Sequence, residues 1–217
     1  MKIEFMIPSI IVAIVIFIIL LNVGRANYYG AKKEKFLMGS MFPYEMQDGL
    51  YYKYNWNVRF IALFLALALS LFAINAFDLT LQPNLSFLLI VMIVNAVIMM
   101  CLFFTTMRNA TLHMILSIAH FGLTFITYAT MANYVFFYNT VDYPLYLGII
   151  CVILVVVMLL LFINPKLYKW MYMERQEENG TSTLKRPKVL LLATYEWIFM
   201  ILTIVFDLLL TIVTLLM

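Results

Sequence analysis

Leu145–Ile163 reads LYLGIICVILVVVMLLLFI, a stretch without a single charge and with Tyr146 as its one polar-tipped side chain. Ile153–Phe162 is apolar at every position, so the apolar–polar alternation of a barrel strand is missing. A helix of this length rises about 28 Å, close to the ~30 Å of a bilayer's hydrocarbon layer. Within lipid, one segment can pair all its own backbone groups only as a helix. Pro144 stands at its start and Asn164-Pro165 at its end, and proline disfavours helical geometry in the residue before it. The stretch predicts a membrane-crossing helix over 145–163.

Five more segments read the same way, at about 7–23, 60–77, 85–107, 110–137 and 189–217. Pro83 precedes the third, and Pro8 sits in the first turn of the first, where a missing N–H costs little. Across the chain 65% of residues are hydrophobic and 12% charged, against roughly 45–50% and 25% in soluble domains. The expected fold class is all-α: residues 1–217 form one polytopic membrane domain, a bundle of about six transmembrane helices. Lys2 before an apolar core is also how a cleaved signal begins, but this core exceeds the usual 7–15 residues, so a retained span is expected.

Basic residues report orientation. Residues 24–59 carry Arg25, Lys32, Lys33, Lys35, Lys53 and Arg59, and residues 164–188 carry Lys166, Lys169, Arg175, Lys185, Arg186 and Lys188. With Arg108 between the third and fourth spans, 13 of the 14 basic residues fall on one side of a six-span weave. Lys2, Glu4, Asp78 and Asp142 fall on the other. The positive-inside rule then predicts a plasma-membrane protein with both termini outside and the loops 24–59 and 164–188 in the cytoplasm. The net charge of +3 comes with no basic helix or RNA-binding motif, so nucleic acid is not an expected partner; the lipid bilayer is.

The first of these loops mixes Lys32, Lys33 and Lys35 with apolar residues and then with Tyr51, Tyr52 and Trp56. Such a segment is expected to lie on the inner leaflet, where basic residues gain about 1 kcal/mol each. A docking surface for a partner is the second reading. In the other loop, Leu167–Met173 reads as a continuation of the fifth helix and Glu174–Arg186 as a solvated polar turn. Cys101 and Cys151 lie inside apolar spans without metal-ligand spacing, so they read as packing residues.

Four ionisable side chains fall inside spans: His113 and His120 in the fourth, Glu196 and Asp207 in the sixth. Such groups are costly in lipid and are functional candidates by default. His113 and His120 are seven residues apart, two helical turns, and Glu196 and Asp207 are eleven apart, three turns, so each pair shares a face. If the two helices touch, two His–carboxylate pairs at successive depths are expected, an arrangement suited to a proton or cation path. The plainer reading is that each polar group satisfies a neighbour in the bundle.

Neither an HExxH helix, a serine-nucleophile motif nor a phosphate loop occurs, so no catalytic residue, metal ligand or cofactor is predicted. Ala62, Ala66, Ser70 and Ala73 form a small-residue stripe on the second helix, the kind of surface that lets membrane helices approach closely. It serves either packing within the chain or docking of another subunit, and Asn75 and Asn95 are candidates for interhelical hydrogen bonds. From the lack of a catalytic constellation, the short outer loops and the aromatic, basic inner loop, the first expectation is a non-enzymatic accessory, assembly or immunity-type subunit of a plasma-membrane complex, with a membrane-protein partner or a second copy of itself. The second is a small solute, ion or proton-coupled transporter or channel using the four ionisable residues. A lipid-modifying enzyme comes last.

Overall fold

Apolar length decides which segments cross the membrane. The computed structural model describes residues 3–32, 39, 42, 56–77, 83–105, 110–163, 174–178, 181–185 and 189–217. Its elements are α1 (Ile3–Lys32), α2 (Trp56–Ala76), α3 (Pro83–Phe104), α4 (Ala110–Phe137), α5 (Leu145–Phe162), β1 (Glu174–Glu178), β2 (Thr181–Lys185) and α6 (Leu191–Leu216). Each of the six helices contains a window long and apolar enough to cross a membrane. The protein is an all-α, six-helix membrane bundle.

Several boundaries differ from expectation, and α2 opens at Trp56 rather than at 60, so Trp56 and Arg59 are helical rather than part of the 24–59 loop. The first helix runs on to Lys32 rather than ending at Val23, so Lys32 closes a helix instead of lying in a loop. Hydropathy marks where a helix leaves the hydrocarbon, and nothing between Gly24 and Tyr29 forces it to stop there. Pro8 is inside α1, in its second turn rather than its first; the single bond it forgoes is to the carbonyl of Glu4. Pro83 is the first residue of α3 rather than a preceding breaker, a position where its fixed φ suits the helix. Lys33, Lys35, Tyr51, Tyr52 and the segment 167–173 lie outside the described residues.

The polar stretch after α5 is not a plain turn. β1 and β2 pair antiparallel, from Glu174↔Lys185 to Glu178↔Thr181. That register leaves Asn179-Gly180 between the strands, and Asn-Gly is the dipeptide most favourable to a two-residue hairpin connection. The signal was present in the sequence.

Consecutive helices are neighbours from α1 to α5, and α6 returns to lie against α1, α2 and α4. One end of the bundle carries the long connections. There Arg59, early in α2, places its guanidinium 5.2 Å from the Trp56 ring and 5.4 Å from the ring of Phe104, the last residue of α3. Trp56 is exposed, in keeping with an aromatic at headgroup depth. At the short-loop end the α4–α5 turn is held by Asn139. Its amide nitrogen donates to Tyr143 O (2.7 Å) and its oxygen accepts from Tyr143 N–H (2.8 Å). Asp142 there adopts φ 58°, a left-handed conformation that Asp tolerates better than most residues. Burial raises the Tyr143 phenol above its ordinary range.

Polar side chains and the small alanines lie inside together with aromatics such as Trp197, Phe72 and Phe199, while many large aliphatics face outward. Lipid tails are as apolar as leucine, so burying a large aliphatic gains little and close packing decides instead. Phe64, Leu71, Ile90, Ile118, Ile153 and Leu160 face outward, while Ala13, Ala62, Ala66, Ala73, Ala96, Ala132 and Ala193 are buried. Ala62, Ala66 and Ala73 of the small-residue stripe are thus used within the chain, with Ser70 half-buried beside them. Ala66→Leu is expected to lower stability by about 1–3 kcal/mol through overpacking, measurable as an earlier unfolding midpoint in mixed micelles. An unchanged midpoint would mean that α2 has room there which its burial denies. Of the two asparagines, Asn75 returns its amide to Leu71 O on its own helix; Asn95 bridges helices.

Candidate functional site: a polar seam between α3, α4 and α6

The four ionisable residues lie along one seam, each at most 1% exposed. On α4 the polar face continues through His113, Ser117, His120, Thr124 and Thr127, at alternating steps of four and three. On α6 it continues through Glu196, Thr203, Asp207, Thr211 and Thr214. These steps keep every member on one face of its helix, and the two faces meet. All these residues except half-buried Thr203 are buried.

Near the long-loop end, His113 Nε2 lies 2.9 Å from Glu196 Oε1. Ser117 Oγ donates to the same oxygen at 2.6 Å, or to His113 O at 2.9 Å. His113 Nδ1 lies 3.2 Å from Thr105 Oγ1, just past the end of α3. With the Thr105 hydroxyl donating to Leu102 O (3.1 Å), its oxygen accepts from His113 Nδ1–H. Nε2 and Oε1 then share one proton, a charge-assisted contact. Glu196 Oε2 has no hydrogen-bond partner among the described residues.

The end of the bundle is closed above this pair. Phe42 is 3% exposed and meets the His113 ring edge-on, with centroids 5.5 Å apart. Gly39 O accepts from Leu190 N–H at 2.6 Å, just before α6. A Cβ at Gly39 would overlap Thr194 Oγ1 and lie 2.8 Å from Val189 Cγ1, so the close approach requires glycine. These two residues of the 24–59 segment therefore pack on the bundle itself.

About 10 Å further along α4, by the rise of two helical turns, Asn95 of α3 is the hub. Thr124 and Thr203 each donate to the carbonyl four residues back, His120 O (2.9 Å) and Phe199 O (3.1 Å). Their oxygens are left as acceptors, so the Asn95 amide nitrogen faces them, at 3.1 and 3.4 Å. Asn95 Oδ1 then faces His120 Nδ1 at 2.7 Å, which makes Nδ1 the protonated nitrogen. His120 Nε2 is left with a lone pair and no partner among the described residues.

The second expected His–carboxylate pair does not form, and the spacing explains why. Two turns separate the histidines and three separate the acids, while α4 and α6 both start at the long-loop end. With His113 level with Glu196, His120 falls level with Thr203, and Asp207 lies one turn, about 5 Å, beyond. Asp207 instead borders a small cavity with Asn95, Thr124, Thr127, Tyr128 and Thr203, its lining completed by Leu69, Met92 and Phe206. Its space for the centre of a water molecule is about 10 Å³, enough for one water. Asp207 Oδ1 is buried and unpartnered among the described residues.

Aromatic packing holds the seam's register. Phe121 stacks on Phe199 with centroids 4.5 Å apart, Tyr128 meets Phe206 edge-on at 5.1 Å, and the Tyr128 hydroxyl donates to Leu202 O at 2.9 Å. Sequence reasoning singled out the ionisable residues and missed the hydroxyls and the hub role of Asn95. The signal was the step of four and three that continues the histidine stripe through Ser117, Thr124 and Thr127. Among the described residues no three His, Cys, Asp or Glu side chains lie close enough to hold a metal ion together. Cys101 and Cys151 are free thiols.

The fold and seam define a class: a polytopic six-helix membrane protein with a continuous polar stripe buried between three helices. No protein-family model, curated protein or solved structure matches the chain.

Proposed function

We propose that this protein is a small membrane transporter or channel that passes protons or a small cation along the seam between α3, α4 and α6. One observation carries the reading. Three buried polar atoms, Glu196 Oε2, His120 Nε2 and Asp207 Oδ1, follow one another along the seam without a partner among the described residues. An unpaired polar group in a bilayer costs several kcal/mol, more than structural packing warrants three times over. The α2 alanine stripe, one candidate docking seam for another subunit, is occupied within the chain. The basic residues at the long-loop end support a plasma-membrane orientation with that end in the cytoplasm and both termini outside.

The test is flux. Purified protein in liposomes should dissipate an imposed pH or cation gradient faster than empty liposomes. His120→Ala should slow this by about tenfold, equivalent to about 1.4 kcal/mol on the barrier, while the variant remains folded and monodisperse. Wild-type liposomes no leakier than empty ones to protons, sodium and potassium would sink the proposal.

A further inference from the structure

We infer that the cavity beside Asp207 is a binding site for one sodium-sized monovalent cation. The inference deepens the transport reading and rests on it for its physiological sense, although occupancy can be measured without flux.

Thr124 and Thr203 give their hydroxyl protons to His120 O and Phe199 O, and Thr127 gives its own to Leu123 O (2.9 Å). Tyr128 gives its proton to Leu202 O. The Asn95 amide hydrogens are directed at Thr124 and Thr203. These donations engage the hydrogens of the polar lining within the chain and leave its oxygens as acceptors. Asp207 adds a carboxylate oxygen that nothing in the described chain satisfies.

A cavity with surplus acceptors selects a donor or a cation. The ligand set is all oxygen, the preference of hard cations. A single carboxylate balances one positive charge, whereas calcium sites use several carboxylates among six to eight ligands. Space for about one water suits a sodium-sized ion better than a larger one. The position fits as well. Asp207 lies about 24 Å along α6 from Leu191 and about 14 Å from its far end, by the rise per residue; transporter cation sites likewise lie between helices at membrane depth. A proton on Asp207 is the competing occupant, and the sodium dependence of binding separates the two.

The experiment uses the full chain in mild detergent at neutral and mildly alkaline pH. Thermal unfolding is followed in sodium, potassium and choline chloride at equal ionic strength, with equilibrium dialysis of radioactive sodium beside it. A saturable, sodium-selective rise in the unfolding midpoint is expected, with dialysis giving close to one ion per chain. Asp207→Asn should abolish both signals. Thr127→Val, which removes one ligand oxygen and no charge, should weaken sodium binding by about tenfold, or 1.4 kcal/mol. If Asp207→Asn does not fold, the wild-type dialysis and Thr127→Val decide.

Equal midpoints in the three salts with no bound sodium would overturn the site, as would a response to pH alone. Binding unaffected by both substitutions would overturn it too. Proton flux in liposomes without sodium binding would defeat this inference and leave the transport reading standing. Sodium binding without any flux would do the reverse.

Discussion

Asn95→Leu is expected to lower stability by about 3 kcal/mol. Interhelical hydrogen bonds in membranes average only about 0.6 kcal/mol, so three lost contacts to Thr124, Thr203 and His120 account for roughly 2. The remainder comes from the His120 Nδ1–H left facing an aliphatic chain, because an orphaned buried donor costs about 1–3 kcal/mol. The same reasoning predicts partial rescue. In Asn95→Leu/His120→Leu the orphan is removed along with its partner, and replacing both members by apolar groups approaches neutrality. The pair is read from unfolding midpoints in mixed micelles. Simple additivity of the two substitutions would contradict the hydrogen bond between Asn95 and His120.

Glu196→Ala should cost a similar amount, about 3 kcal/mol, for a different reason. It leaves His113 with a proton once shared and Ser117 without its shortest contact, in a site sealed by Phe42. Removing one partner of a buried ionic pair is typically worth 3–5 kcal/mol, and the Ser117 hydroxyl, free to turn wholly to His113 O, places this case at the low end. The double substitution His113→Leu/Glu196→Leu should lose clearly less than the two single losses added together, with a coupling of about 1–3 kcal/mol. A coupling near zero would mean that the 2.9 Å contact carries no energy. Because apolar replacements of both partners are often tolerated, a stable double variant that has lost flux would assign the pair to transport rather than to folding.

The small-residue stripe teaches a general point about reading such chains. Ala62, Ala66 and Ala73 announce close packing, but the same alanines serve equally well inside a chain or between chains. Only their burial by the chain's own helices distinguishes the two. Helix ends behave similarly. Hydropathy located the departure of α1 from the hydrocarbon near Val23, yet its backbone continues helical to Lys32, because leaving lipid and ceasing to be a helix are separate events.

What the amino-acid order determined by itself was the class of structure and its polar candidates. Apolar runs such as 145–163 allow only helices in lipid, and the steps of seven and eleven place His113 with His120, and Glu196 with Asp207, on single faces. Tertiary structure alone decided which of these groups meet. The one-turn mismatch between those two spacings pairs His113 with Glu196, turns His120 to Asn95, and leaves Asp207 beside a cavity. Periodicity within one helix carries no information about the level of its neighbour. That level is set by the packing of Phe121 on Phe199 and Tyr128 on Phe206 across α4 and α6, contacts each 78 residues apart in sequence.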